Sequence, residues 1–131
     1  MKIKVINKQN IDGQNDIIEE KAEGSYYRKN AKTYIIYKVK DENCENSVMI
    51  TVSEENVTVK RSGGADTIMV FDRMRKTKTR YRTMYGELEM EIQTEKLVNA
   101  LNDDGGKLRL VYTMIMQGQK IYNDMEITVE Q

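Results

Sequence analysis

Hydrophobic and polar positions alternate along most of this chain with a period of two, the period of a strand that has one wet face and one buried face. The alternation is cleanest in Val48, Ile50 and Val52, in Val57 and Val59, and in Ile121, Met125, Ile127 and Val129. Turn-forming residues interrupt it at short intervals: Asp12-Gly13, Asp41 to Asn46, Ser53 to Asn56, Ser62 to Asp66, Gly86, Asn102 to Gly106 and Gln117-Gly118. Cutting the chain there predicts ten strands, near residues 3–9, 16–28, 32–40, 47–53, 56–62, 67–73, 77–85, 87–94, 107–117 and 121–129. Gly24-Ser25 falls inside the long second strand, where a glycine marks a bulge or bend. Glu95 to Leu101 stays open between a strand and one helical turn capped by Thr94.

Lys76 to Thr94 reads as one hairpin. Its even positions Lys76, Lys78, Arg80 and Arg82 are cationic, and its odd positions Thr77, Thr79, Tyr81, Thr83 and Tyr85 are uncharged β-formers. Past Gly86, Leu88, Met90 and Ile92 alternate with Glu87, Glu89, Glu91 and Gln93. A Gly86-Glu87 turn sets Arg82 against Glu91, and a Tyr85-Gly86 turn sets it against Glu89. Either register makes one face a ladder of opposite charges and the other a mixed aromatic and aliphatic surface. The stripe Arg73, Arg75, Lys76, Lys78, Arg80, Arg82, with Tyr81 inside it, also suits phosphate neutralisation and base stacking. The facing glutamates consume that positive potential, so the solvated ladder is preferred over a nucleic-acid surface.

Ten short, mostly hairpin-connected strands must split into two sheets or close on themselves. No proline is present to blunt an edge strand, and closure removes edges altogether. The expected fold is all-β: an antiparallel, closed or nearly closed barrel of about eight to ten strands, with a sandwich as the alternative. One domain over residues 1–131 is expected at this length.

Composition narrows function mainly by exclusion. Charged residues make up 32% and hydrophobic residues 39%, and the formal net charge is zero, so there is no global attraction to nucleic acid or to an anionic membrane. The first residues lack the apolar core of a signal peptide, and the longest apolar runs, such as Tyr34 to Tyr37, span four residues. Cys44 is the single cysteine, which forbids an intrachain disulfide, and its acidic neighbours disfavour a reactive thiolate. A cytoplasmic protein is expected. There is no histidine, hence neither the usual proton-transfer side chain nor the commonest metal ligand. Phosphate-loop, dinucleotide and nucleophile-elbow patterns do not occur. No cofactor and no metal site are expected, and nothing argues positively for an enzyme. Nine methionines are many for 131 residues; Met90, Met114, Met116 and Met125 fall at alternating positions that suit interior packing.

Several segments together carry a resemblance. Gly24-Ser25-Tyr26-Tyr27, Tyr34-Ile35-Ile36-Tyr37, Val57 to Gly63, Phe71, Tyr81 to Leu88, Thr94 and Val111-Tyr112 resemble the YwiB-like family of small bacterial proteins. The resemblance spans nearly the whole chain and implies a calycin-like (lipocalin-like) β-barrel of unknown biochemical function. It brings no catalytic residues. The chain has no Trp and no lid segment after its first strand, so a lipid-carrier role is not implied.

Arg61 is the most informative single residue. It shares parity with Val57 and Val59, which points its guanidinium into the barrel or at its rim. An unpaired buried charge is costly, so Arg61 needs an inward hydroxyl, a carboxylate or a ligand. The functional expectation is a barrel that binds a small, anionic, amphipathic ligand in its interior, with Arg61, Tyr81, Thr83, Tyr37 and Tyr112 lining the site. The alternative is a filled barrel serving as a structural or protein-interaction module. The expected partner is a small molecule rather than a membrane or nucleic acid, bound by a monomer or homodimer.

Overall fold

The computed structural model describes residues 1–40, 44–64 and 66–131, all but the side chain of Thr83. The predicted turn residues Asp41, Glu42, Asn43 and Ala65 lie outside the described residues. Ten strands follow one another: β1 (Lys2–Ile11), β2 (Gln14–Lys29), β3 (Lys32–Lys40), β4 (Glu45–Val52), β5 (Asn56–Ser62), β6 (Asp66–Asp72), β7 (Thr77–Thr83), β8 (Gly86–Asn102), β9 (Gly105–Met116) and β10 (Gln119–Glu130). Each is antiparallel to its neighbour in sequence, and β1 also pairs with β10, so the sheet closes into the expected barrel. The tight turns at Asp12-Gly13 and Gln117-Gly118 hold both residues at positive φ, as a two-residue hairpin of right-handed twist requires.

The segment left open between strand and helix is strand. β8 runs on to Asn102, and its register against β9 shifts between Thr94 and Lys96, which makes Glu95 a bulge. The bulge has a clear reason. Ile92 and Thr94 are buried on even parity; continued without interruption, that parity would bury Lys96 and expose Leu97. One extra residue reverses it and buries Leu97.

The hairpin turn lies at Met84-Tyr85, earlier than either register read from the sequence: Thr83 faces Gly86, Arg82 faces Glu87, Arg80 faces Glu89 and Lys78 faces Glu91. Gly86, at a φ of 125°, follows the turn instead of forming it. Every such slip keeps odd opposite even, so the charge ladder survives. Arg82 lies 3.0 Å and Arg80 3.6 Å from Glu87, and Lys78 lies 3.9 Å from both Glu89 and Glu91. These pairs are exposed and worth about 0–1 kcal/mol each.

Gly24 is neither bulge nor break but the point at which β2 changes partner. Residues up to Glu23 pair with β1, and from Gly24 onward they pair with β3. A Cβ on Gly24 would sit 2.3 Å from the Ile36 carbonyl oxygen and 2.5 Å from Ile3 Cδ1, so only glycine allows the approach. Before Gly24, β2 has no partner on its β3 side among the described residues. A wedge opens there in the barrel wall.

The interior has two halves. At the end that carries the β2–β3, β4–β5 and β8–β9 turns, Ile35, Val52, Val57, Phe71, Leu108, Ile127 and Val129 are sealed from water. Toward the other end polar side chains join the inward positions, Asn7, Glu20, Arg61, Thr67 and Asn123, beside the apolar Val48, Met90, Met114 and Ile121. Among the described residues no helix is long and apolar enough to cross a membrane.

Candidate functional site

The open half of the barrel gathers the residues that carry chemistry. Arg61 on β5 lies opposite Val48 and Thr67, both buried, so its side chain points inward as parity required. Its guanidinium meets Glu20 in a two-pronged contact, Nη1 to Oε2 at 3.2 Å and Nη2 to Oε1 at 3.0 Å. Tyr37 on β3 donates its hydroxyl to Glu20 Oε1 at 3.3 Å. One carboxylate thus ties β2, β3 and β5 together across the wedge. The Arg61 and Glu20 side chains retain 31% and 22% exposure, which places the pair between the weak surface regime and the costly buried one.

Burial works against the Arg61 charge, but the hydrogen bond and field of Glu20 outweigh it and raise its pKa further. Tyr37 is pushed far above the ordinary phenol range, first by burial and then by the Glu20 carboxylate. Its hydroxyl therefore stays protonated and acts as a donor.

This cluster stands on the wall of a cavity of about 310 Å³, lined by Val5, Ile50, Val59, Met125 and Ile127 on its apolar side and by Asn7 on its polar side. Asn7 donates to Asn123 Oδ1 at 3.2 Å, and Gln9 donates to the same oxygen at 2.9 Å. Asn7 Oδ1 is buried without a partner among the described residues.

The predicted site residues are only partly brought together. Arg61 and Tyr37 share Glu20. Tyr81 stands two strands further on, across from Thr67, near enough to Arg61 to favour its charge. Tyr112 is elsewhere, buried against Phe71 with ring centroids 4.6 Å apart, its pKa pushed up by burial and partly offset by Asn7. Thr83 lies at the end of β7, and its side chain is outside the described residues. Met90, Met114, Met116 and Met125 all take inward register positions, and Met125 lines the cavity.

Sequence reasoning missed Glu20. In Ile17-Ile18-Glu19-Glu20 both residues of each pair are alike, so parity cannot say which glutamate turns inward. Only the pairing of Glu20 with the buried Val5 decides it. Among the described residues no group of three or more metal-ligating side chains comes together.

Comparison with known proteins gives a consistent picture. A family model described as a domain of unknown function, DUF1934, matches residues 3–128. The uncharacterized beta-barrel protein YwiB of Bacillus subtilis (strain 168) is 30% identical over 120 residues, covering 91% of this chain and 84% of that protein. The crystal structure of the ywiB protein from Bacillus subtilis superposes with a TM-score of 0.89 at 28% identity, covering 97% of this chain and 87% of the other.

Proposed function

We propose that this chain, which belongs to the DUF1934 family, is a non-enzymatic cytoplasmic barrel that binds a small amphipathic ligand in its open half. The carrying observation is the cavity of about 310 Å³ with an apolar wall and the Glu20–Arg61–Tyr37 cluster beside it. Its volume lies at the lower bound of ordinary small-molecule pockets, about 300 Å³. An apolar body would rest on Val5, Ile18, Val59 and Met125. An anionic head would exchange with Glu20 on Arg61, which presents a planar fork suited to a carboxylate. The exchange matters for affinity. Glu20 competes as a tethered carboxylate, so the ligand must gain from its apolar contacts what it loses in replacing an existing pair. Asn7 Oδ1 supplies an acceptor for a hydroxyl or amide on the same ligand.

The cavity also favours this reading over a filled barrel that serves only as an interaction module. The cytoplasmic setting is supported by the single cysteine. The test pairs native mass spectrometry of gently purified protein with thermal-shift screening of small aliphatic and aromatic carboxylic acids. The expected result is a bound adduct or a rise in Tm that disappears in Arg61→Met. No adduct together with no Arg61-dependent shift would sink the proposal.

A further inference from the structure

Around the barrel, neighbouring strands share six or more residue pairs at every junction but one. Among the described residues β6 and β7 share two, Asp66 with Arg82 and Thr67 with Tyr81. Beyond them the strands are joined by side chains, with the Thr79 hydroxyl donating to the Ile68 carbonyl and the Thr77 hydroxyl to the Val70 carbonyl. The interrupted ladder leaves a cleft of about 500 Å³ lined from both faces of the sheet: Lys60, Arg80 and Arg82 from outside, Arg61, Thr67 and Thr79 from within.

The charge of this cleft is unbalanced. Four cations, Lys60, Arg61, Arg80 and Arg82, stand against two carboxylates, Asp66 and Glu87. Glu87 is shared by Arg80 and Arg82, Arg61 is held by Glu20, and Lys60 makes no ion pair among the described residues. Asp66 makes none either, and its register position faces Arg82. Behind the cations Thr67 is 7% exposed, and its Oγ1 has no hydrogen-bond partner among the described residues. A buried hydroxyl without a partner is uncommon, and here it borders a cleft rich in positive charge.

We propose that the β6–β7 seam is a binding site for a small phosphate-bearing molecule, held by Lys60, Arg80 and Arg82 at the mouth and by the Thr67 hydroxyl at the floor. A tetrahedral phosphate presents enough acceptor oxygens to meet a lysine, two guanidiniums and a hydroxyl together, which a monocarboxylate does not. With Arg61 held by Glu20, Lys60, Arg80 and Arg82 stand against Asp66 and Glu87, and negative charge at this point relieves the one cation in excess. The site goes beyond the interior cavity and stands if that reading fails, because Arg61 alone is common to both and the phosphate is held without it, by Lys60, Arg80 and Arg82.

The test is an NMR titration of the isotopically labelled full chain with inorganic phosphate, with acetate and sodium chloride at matched ionic strength as comparisons. Saturable amide shifts confined to Lys60, Thr67, Ile68 and Arg80 are expected with phosphate and not with acetate or chloride. Lys60→Gln and Arg80→Gln each remove a charge-assisted contact and weaken binding by about tenfold. Their side chains are exposed, so folding is retained, and Lys107→Gln serves as an unaffected control. Thr67→Val, which keeps the shape and deletes the hydroxyl, lowers affinity severalfold, while Arg61→Met leaves phosphate binding largely intact. Equal shifts with all three salts, or shifts that persist in the Lys60→Gln, Arg80→Gln double variant, would mean an adventitious ion only. Tight binding of a single-stranded oligonucleotide without saturable phosphate binding would equally overturn the proposal.

Discussion

At one end of the barrel Ile35, Val57, Phe71, Leu108 and Ile127 have no measurable contact with water, while at the other Glu20, Tyr37 and Arg61 border a cavity of about 310 Å³. The same strands run through both ends, β5 for instance carrying Val57 at one and Arg61 at the other. Closing a sheet ensures that every inward position meets others across the barrel, but it does not decide what fills the space. The packed end is filled by branched and aromatic side chains. In the open half, long polar side chains reach toward one another and leave volume between them.

Truncation is the strongest way to break that contrast. Phe71→Ala, at the packed end, is expected to cost about 3–5 kcal/mol in denaturant unfolding, because its neighbours can relax only partly into the hole. Val59→Ala, on the cavity wall, deletes less and opens onto existing space, so about 1 kcal/mol is expected. Similar losses at the two sites would mean that the open half is as tightly packed as the other.

A smaller effect separates the Glu20–Arg61 pair from ordinary surface ion pairs. Removing one partner alone, by Glu20→Gln or Arg61→Met, leaves a half-buried group without its mate and should cost about 1–3 kcal/mol. The double variant should lose less than the two singles added together, with a coupling of about 1 kcal/mol. The Arg82–Glu87 pair on the outer ladder should show a coupling nearer zero in the same cycle.

The alkaline limb of stability gives the finest comparison. Tyr37 and Tyr112 both have pKa values raised in the folded state, Tyr37 with help from Glu20 and Tyr112 by burial alone. A raised folded pKa means that the native state holds its proton more tightly. The resulting stability is fully present below the unfolded phenol value, about pH 10, and is lost as pH rises above it. Each tyrosine should contribute a slope of about 1.4 kcal/mol per pH unit in that window. Tyr37→Phe or Tyr112→Phe should each remove one such share. Glu20→Gln should lower the pH at which the Tyr37 share is exhausted and leave that for Tyr112, and a slope unchanged by both tyrosine variants would contradict the assignment.

Sequence alone determined a good deal here. Alternation and turn residues placed ten strands, and ten short antiparallel strands without proline favoured closure, because local propensity and side-chain parity are written in neighbouring residues. Parity also turned Arg61 inward and set cations against glutamates on the outer hairpin, whichever turn was chosen. What tertiary structure decided is whatever depends on which residues face one another across strands. It placed the hairpin turn at Met84-Tyr85, made Glu95 a bulge so that Leu97 could be buried, and chose Glu20 over Glu19 by setting it against Val5. The same holds for the seam at β6 and β7, where a ladder with two pairs among the described residues borders a cationic cleft. Pairing across a closed barrel joins residues distant in the chain, such as Glu20 and Arg61, and no local period encodes which of them will meet.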